Sequence, residues 1–387
     1  MTAIQNYSTI IDSIYGIGTT TFDISKNFTN KVIGALNSRS QVNNFKTNFI
    51  SRLERLRSIY STHPTYLADI LFKVNDIARN KNWRGAFAEL AAYDYLNSDI
   101  LNHKNYIVTP IRPNITLPNT KSFAFELGKH KANLDGYVED CPMYFDVKCF
   151  KDNVTEILEG IYKDLKKYIG INDLHITAEY ELDISYDDFK FKRTKLLEEL
   201  KSQLNITTKK TYISSKVIPN LTYRILWCSG IMTAVRTFEP FRYAKNYHKT
   251  IFNYSDKFIK DKPTVIVLVV FPWYNMIDSY FTGDNIKFYR AFSRRVFCQY
   301  KLDTTKFNSF NSSFTGNQTL YEVSKHLSGI IFLEDNTVEG TNPNDTNIKS
   351  FIYLNPNAIK PITKSWAREF IFSLPYTAFD DFENDNY

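Results

Sequence analysis

Leu134-Asp-Gly-Tyr-Val138 and Met143-Tyr-Phe-Asp-Val-Lys148 decide how this chain is read, with Glu139-Asp-Cys-Pro142 between them. Both runs are rich in β-forming residues, and the connector has the composition of a tight turn, so the two pair most simply as a β-hairpin. Downstream, Val154, Ile157, Leu158, Ile161, Tyr162, Leu165 and Ile169 recur every three or four residues and predict an amphipathic helix. Upstream, Trp83 to Leu96 carries strong helix formers in Ala86, Phe87, Ala88, Glu89, Leu90, Ala91 and Ala92. Between that helix and the hairpin, Tyr106-Ile-Val-Thr and Ser122 to Leu127 are short β-type runs.

Further out, Phe45, Phe49, Leu53, Leu56 and Tyr60 predict a helix, as do Leu67, Ile70, Leu71, Val74 and Ile77 after the break at His63-Pro64. Beyond the hairpin we expect a strand at about 222–228, a helix at about 239–259, a fully buried strand at 264–271, a basic helix at about 285–299 and a strand at 329–333. Helices interleaved with strands give an α/β fold class, an α+β mixed sheet. The expected organisation is an N-terminal helical region over 1–80, a core over 81–335 with a basic insertion at about 186–218, and a C-terminal extension over 336–387.

The 387 residues carry 48 Lys+Arg against 41 Asp+Glu, and residues 301–387 hold 7 of the former and 11 of the latter, so the first 300 residues carry +11. The positive field belongs to the body of the chain and suits a polyanion. A/T-rich coding would also yield the abundant Lys, Asn, Tyr and Phe with no function behind them. Hydrophobic content of 43% excludes a disordered chain. Cys141, Cys149, Cys228 and Cys298 show neither metal-ligand nor disulfide-framework spacing. No secretory signal is visible, and the longest apolar run, Val265 to Phe271, falls far short of a roughly 20-residue membrane span. The expectation is a cytoplasmic protein without a membrane segment.

The chemistry concentrates on the hairpin. Alternation puts Asp146 and Lys148 on one face of their strand with Val147 opposite, and Asp135 can project toward the same face across the turn. Two carboxylates and an ammonium then converge, which suits phosphodiester hydrolysis. Asp135, Asp146 and the backbone carbonyl of Val147 would offer oxygen ligands to Mg²⁺, with Mn²⁺ able to substitute, and Lys148 would offset charge on the phosphorus. Glu89, in Arg84-Gly-Ala-Phe-Ala-Glu-Leu-Ala on the upstream helix, is the candidate to complete the metal shell.

Asp135, a ten-residue spacer and Asp146-Val-Lys148 resemble the P-D…(D/E)-x-K signature of the restriction-endonuclease-like phosphodiesterase superfamily, with Leu134 where the named proline would stand. The core of that family is a helix, three strands, a helix and another strand, and the likeness covers about 83–169. The resemblance implies a Mg²⁺-dependent endonuclease of the type II restriction kind, acting on double-stranded DNA as a homodimer, with Glu89 at the position of the family's helix glutamate. It also covers defence and repair nucleases acting on RNA or branched DNA. A non-catalytic nucleic-acid-binding protein on the same fold, and a solvated cross-strand salt bridge at Asp135, Asp146 and Lys148, are the alternatives.

No G-x-x-x-x-G-K-[ST], H-E-x-x-H or G-x-S-x-G motif occurs, so no nucleotide cofactor is expected. Candidate DNA contacts are Lys190, Lys192 and Arg193, within the lysine-rich stretch 190–216, and Lys287, Arg290 and Arg294, which share a helical face with Lys301.

Overall fold

The computed structural model describes residues 2–25, 30–38, 44–79, 83–98, 109–150, 153–170, 174–180, 186–204, 210–227, 239–271, 282–362 and 377–382. The chain divides into two compact units, one built from Met1–Phe150 with His248–Tyr387 and the other from Lys151–Tyr247.

The first unit opens with helices α1 (Ala3–Tyr15), α2 (Lys31–Leu36), α3 (Phe45–Tyr60), α4 (Pro64–Asp76) and α5 (Trp83–Leu96). Their starts carry ordinary caps: Thr2 and Gln5 form a capping box on α1, Asn30 accepts from the backbone of Ile33 on α2, and Pro64 takes the first turn of α4. Three antiparallel strands follow, β1 (Arg112–Pro118), β2 (Lys131–Val138) and β3 (Met143–Cys149). The central strand β7 (Thr264–Val270) pairs parallel with β3 and with β8 (Gly329–Asp335), both β7 and β8 being buried throughout, as befits parallel strands covered on two faces. β9 (Ile348–Leu354) runs antiparallel to β8, and β10 (Thr377–Asp380) closes the order β1-β2-β3-β7-β8-β9-β10.

Alternation splits this sheet into two apolar faces. Phe145, Val147, Val265, Val267, Val269, Ile331, Leu333 and Ile352 join α1–α5 in one core. The opposite face carries Phe332, whose ring stacks on Tyr289 at 4.2 Å and meets Phe288 and Phe292, all three from the helix Thr282–Cys298. The mixed α/β class holds. Residues 336–387, read as an extension, supply two strands of the main sheet: β9 pairs with β8 on one side and with β10 on the other.

The second unit holds α6 (Asn153–Ile169), β4 (Leu174–Tyr180), α7 (Tyr186–Gln203), β5 (Lys210–Ser214), β6 (Leu221–Trp227) and α8 (Pro240–Tyr247). The antiparallel sheet β4-β6-β5 sends Leu174, Ile213, Leu221, Tyr223 and Ile225 into a core with Leu158, Ile161 and Leu165 of α6 and Phe189, Leu196 and Leu200 of α7. The expected basic insertion at 186–218 thus lies inside a larger unit. The helix after the hairpin belongs to that unit because its apolar face packs on α7 and this small sheet.

The expected strand at 122–127 is a series of turns, and residues 106–108 of the other short run lie outside the described residues. The helix expected at 239–259 is α8 followed by a 3₁₀ helix, His248–Lys257. The basic helix expected at 285–299 is α9 (Thr282–Cys298), followed by α10 (Phe307–Phe310) and α11 (Leu320–Ser324). No helix among the described residues is long and apolar enough to cross a membrane.

His326, after α11, lies edge-on to Phe123 at 5.0 Å, and its Nδ1 is buried without a hydrogen-bond partner. Burial first, then Lys260 and Lys325, push its pKa down from 6.5 to about 4, with Glu126 opposing. Its folded value lies below its unfolded one, so the neutral ring contributes stability above pH 6.5 that is lost as pH falls toward 4. We expect His326→Gln to flatten that acid loss in urea midpoints taken between those pH values. An unchanged pH profile would remove His326 as its source.

Candidate active site

β2 and β3 pair in register only from Gly136↔Phe145 to Val138↔Met143, and beyond that point side chains fill the space between them. Asp135 Oδ2 accepts the backbone N–H of Val147 at 2.7 Å, and the Asp135 carbonyl accepts the Tyr93 hydroxyl of α5 at 2.6 Å. Asn114 of the edge strand β1 lies opposite Asp135 with φ 51°, a left-handed conformation that asparagine tolerates better than most residues. Gly136 is required for a different reason: a Cβ there would run into the Phe145 ring and lie 3.1 Å from the Arg112 carbonyl. The opening at Asp135 is therefore built into both neighbouring strands.

Lys148 closes the opening. Its Nζ stands 2.5 Å from Asp146 Oδ2, 4.0 Å from Asp135 Oδ2 and 2.9 Å from the Val147 carbonyl, with the Tyr254 ring centroid 5.2 Å away. Asp146 is fully buried, and burial followed by the charge of Asp135 pushes its carboxyl well above the usual range against the pull of Lys148 and Lys257. Burial opposes the charge on Lys148, yet Asp146 and Asp135 more than overcome it and raise its pKa. These two directions pull the shared proton in opposite senses. The ion pair with Lys148 charged is the resting arrangement, because Asp146 and Asp135 together hold the ammonium protonated.

Asp135 also acts on Glu89. α5 packs on Phe145 and Val147, the face of β3 opposite Asp146 and Lys148, so Glu89 approaches from the other side. Its Oε2 forms an ion pair with Lys73 of α4 at 2.5 Å. Burial, then Asp135, raise the Glu89 carboxyl, and Lys73 and Lys148 oppose them; Asp135 is the carboxylate that both Glu89 and Asp146 feel. Among the described residues no group of three His, Cys, Asp or Glu side chains is close enough to hold a metal ion. Glu89, the expected fourth ligand, thus has one oxygen engaged by Lys73 while its carboxyl also feels Asp135 and Lys148.

The remaining donors still suit a hard cation. Asp135, Asp146 and the Val147 carbonyl are oxygens, Mg²⁺ commonly takes only one or two carboxylates and completes its shell with water and phosphate, and Asp146 Oδ2 is buried with no hydrogen bond beyond its ion pair.

Lys73, Tyr254 and Lys257 border the site and were not singled out from sequence. No local pattern marks them, since Lys73 sits beside the apolar stripe of α4 and the other two lie on the 3₁₀ helix. Of the expected DNA contacts, Lys192 pairs with Asp188 at 3.0 Å and Arg193 with Asp164 at 2.5 Å, while Lys190 lies over the Phe191 ring at 5.6 Å. On α9, Lys287 pairs with Asp284 at 3.0 Å, and Arg290 binds Asp380 of β10 at 2.6 Å and lies over Phe382 at 5.3 Å. Arg294 is also engaged, and Lys301 falls beyond the end of the helix at Cys298. These cations are partly neutralised by their neighbours, and α9 spends Arg290 on fastening β10. The chain matches no family model, no curated protein and no solved structure.

Proposed function

We propose that this chain is a Mg²⁺-dependent deoxyribonuclease of the restriction-endonuclease-like kind, cutting double-stranded DNA in the cytoplasm as a homodimer, with Mn²⁺ able to replace Mg²⁺. The observation that carries the reading is the meeting of Asp135, Asp146 and Lys148 where β2 and β3 part. The element order supports it: helix α5, strands β1 to β3, helix α6, and later β7 parallel to β3. A cation held by Asp135, Asp146 and the Val147 carbonyl would supply positive charge to the phosphoryl oxygens and acidify a water. Lys148 would move from Asp146 onto a phosphate oxygen and offset the charge that builds there. Tyr254 keeps that ammonium over its ring, and Glu89 with Lys73 holds a second buried charge pair beneath Asp135. The Cys141 thiol is free and buried, in keeping with a reducing compartment.

One observation favours a second reading. Both ammoniums at the site are taken up internally, Lys148 by Asp146 and Lys73 by Glu89, as a non-catalytic nucleic-acid-binding protein on the same fold would have them. Incubating the purified protein with supercoiled plasmid, with Mg²⁺, Mn²⁺ or EDTA, separates the two. Discrete metal-dependent fragments support a sequence-specific endonuclease, and a smear supports a nonspecific one. Intact plasmid with both metals, alongside intact RNA and branched DNA, would overturn the nuclease reading and leave the binding one.

A further inference from the structure

The small sheet of the second unit buries one face and leaves the other open. Its inward residues pack on α6 and α7, whereas the alternate positions of β4, β5 and β6 are exposed or half-buried. Register aligns Tyr212 of β5, Arg224 of β6 and Thr177 of β4 in one cross-strand row, with Lys210 and His175 at the two edges of a neighbouring row.

Its chemistry is that of a polyanion surface with a flat ring on it. Tyr212 is 56% exposed, which is unusual for a tyrosine in the middle of a strand, and the Lys210 ammonium lies 4.8 Å from its ring centroid. Arg224, at the centre, forms no ion pair or hydrogen bond with any described residue, and its Nε is buried without an acceptor. Lys192 and Arg193 on α7, by contrast, already have carboxylate partners. Glu179 is the one acid on the face among the described residues, and it stands in the row beyond Thr177. Lys210 and Arg224 can therefore take phosphates without first breaking an ion pair.

We propose that this open face binds a single-stranded stretch of DNA, with Arg224 and Lys210 on successive phosphates and Tyr212 stacked on an unpaired base. Duplex DNA would satisfy the two cations but offers no free base to an exposed ring, whereas single strands are commonly held by basic grooves with aromatic platforms. The inference goes beyond the nuclease reading and does not rest on it.

The test measures fluorescence anisotropy of a labelled mixed-sequence oligonucleotide, single-stranded or duplexed, with the full chain in EDTA, where cleavage plays no part. Tyr212→Ala is expected to weaken single-strand binding about tenfold and duplex binding much less. Lys210→Ala with Arg224→Ala is expected to lower the slope of log K against log salt by about 1.4, two contacts at about 0.7 each. Tyr168→Ala removes an even more exposed ring with Lys201 over it at 4.5 Å, but on α6, and should leave affinity unchanged. All four substitutions fall on exposed or half-exposed side chains, and circular dichroism checks that the fold is kept. Wild-type affinity in Tyr212→Ala and in the double variant, or a wild-type chain that binds no single strand, would overturn the proposal. Failure of plasmid cleavage alongside intact single-strand binding would count against the nuclease reading only.

Discussion

On the proposed reading, Asp146→Asn is expected to lower metal-dependent cleavage by about a hundredfold or more, while the chain stays folded. The loss is expected because the carboxylate is one of two that can hold the cation, and a preorganised charge at such a site is worth about 10²–10³ in rate. The fold is expected to survive because asparagine matches aspartate in size and shape, and Lys148 keeps the Val147 carbonyl and Asp135 as partners. A thermal melt with and without Mg²⁺ separates chemistry from folding: the wild-type midpoint rises with the cation, and that of Asp146→Asn does not. Lys148→Met should lose cleavage equally but keep the Mg²⁺-induced rise, since it removes an ammonium and no ligand. Cleavage within a few-fold of wild type in both variants would end the assignment of this site.

Arg52→Ala is expected to cost about 3–5 kcal/mol of stability with no change in the geometry of Asp135 or Lys148. Arg52 lies in α3, almost fully buried, with Nε 3.2 Å from Asp94 and NH1 2.8 Å from Asp335, and both carboxylates are completely buried. NH2 adds the Thr337 hydroxyl at 3.0 Å. Its removal leaves Asp335 of β8 without a cation, whereas Asp94 keeps Arg55 at 2.6 Å. Arg55→Ala should therefore cost less, since Arg52 still serves both acids. Urea midpoints read the difference, and a loss below about 1 kcal/mol in Arg52→Ala would show that the cluster is dispensable.

Much of the first unit was legible because its signals are local. The two halves of the hairpin, the stripe of α3 and the unbroken apolar run of β7 each declare themselves within a few residues. β1 did not, since Pro113 and Pro118 argue against a strand; the structure puts it at the sheet edge, where proline is tolerated. β5 was hidden among lysines, yet its alternation with Tyr212 outward and Ile213 inward makes it a strand once β6 is beside it. The same limit applies to the site. Asp135, Asp146 and Lys148 share a hairpin and were found together, whereas Lys73 reaches Glu89 from a different helix. Glu89 was placed with the carboxylates by its position in sequence, and its ion pair with Lys73 shows only once α4 and α5 are packed together.

The parallel pairing of β3 with β7 carries a consequence for how the chain reaches its structure. Between Cys149 and Thr264 the chain makes the whole second unit, so the two central strands meet only after a segment on the order of a hundred residues has closed. An unstructured loop of that length would make this pairing late and slow. The second unit has its own apolar core, so it can form first and shorten the effective loop. β3 and Asp146 with it would then wait in the nascent chain for β7, and the catalytic candidates would be among the last groups to reach their final surroundings.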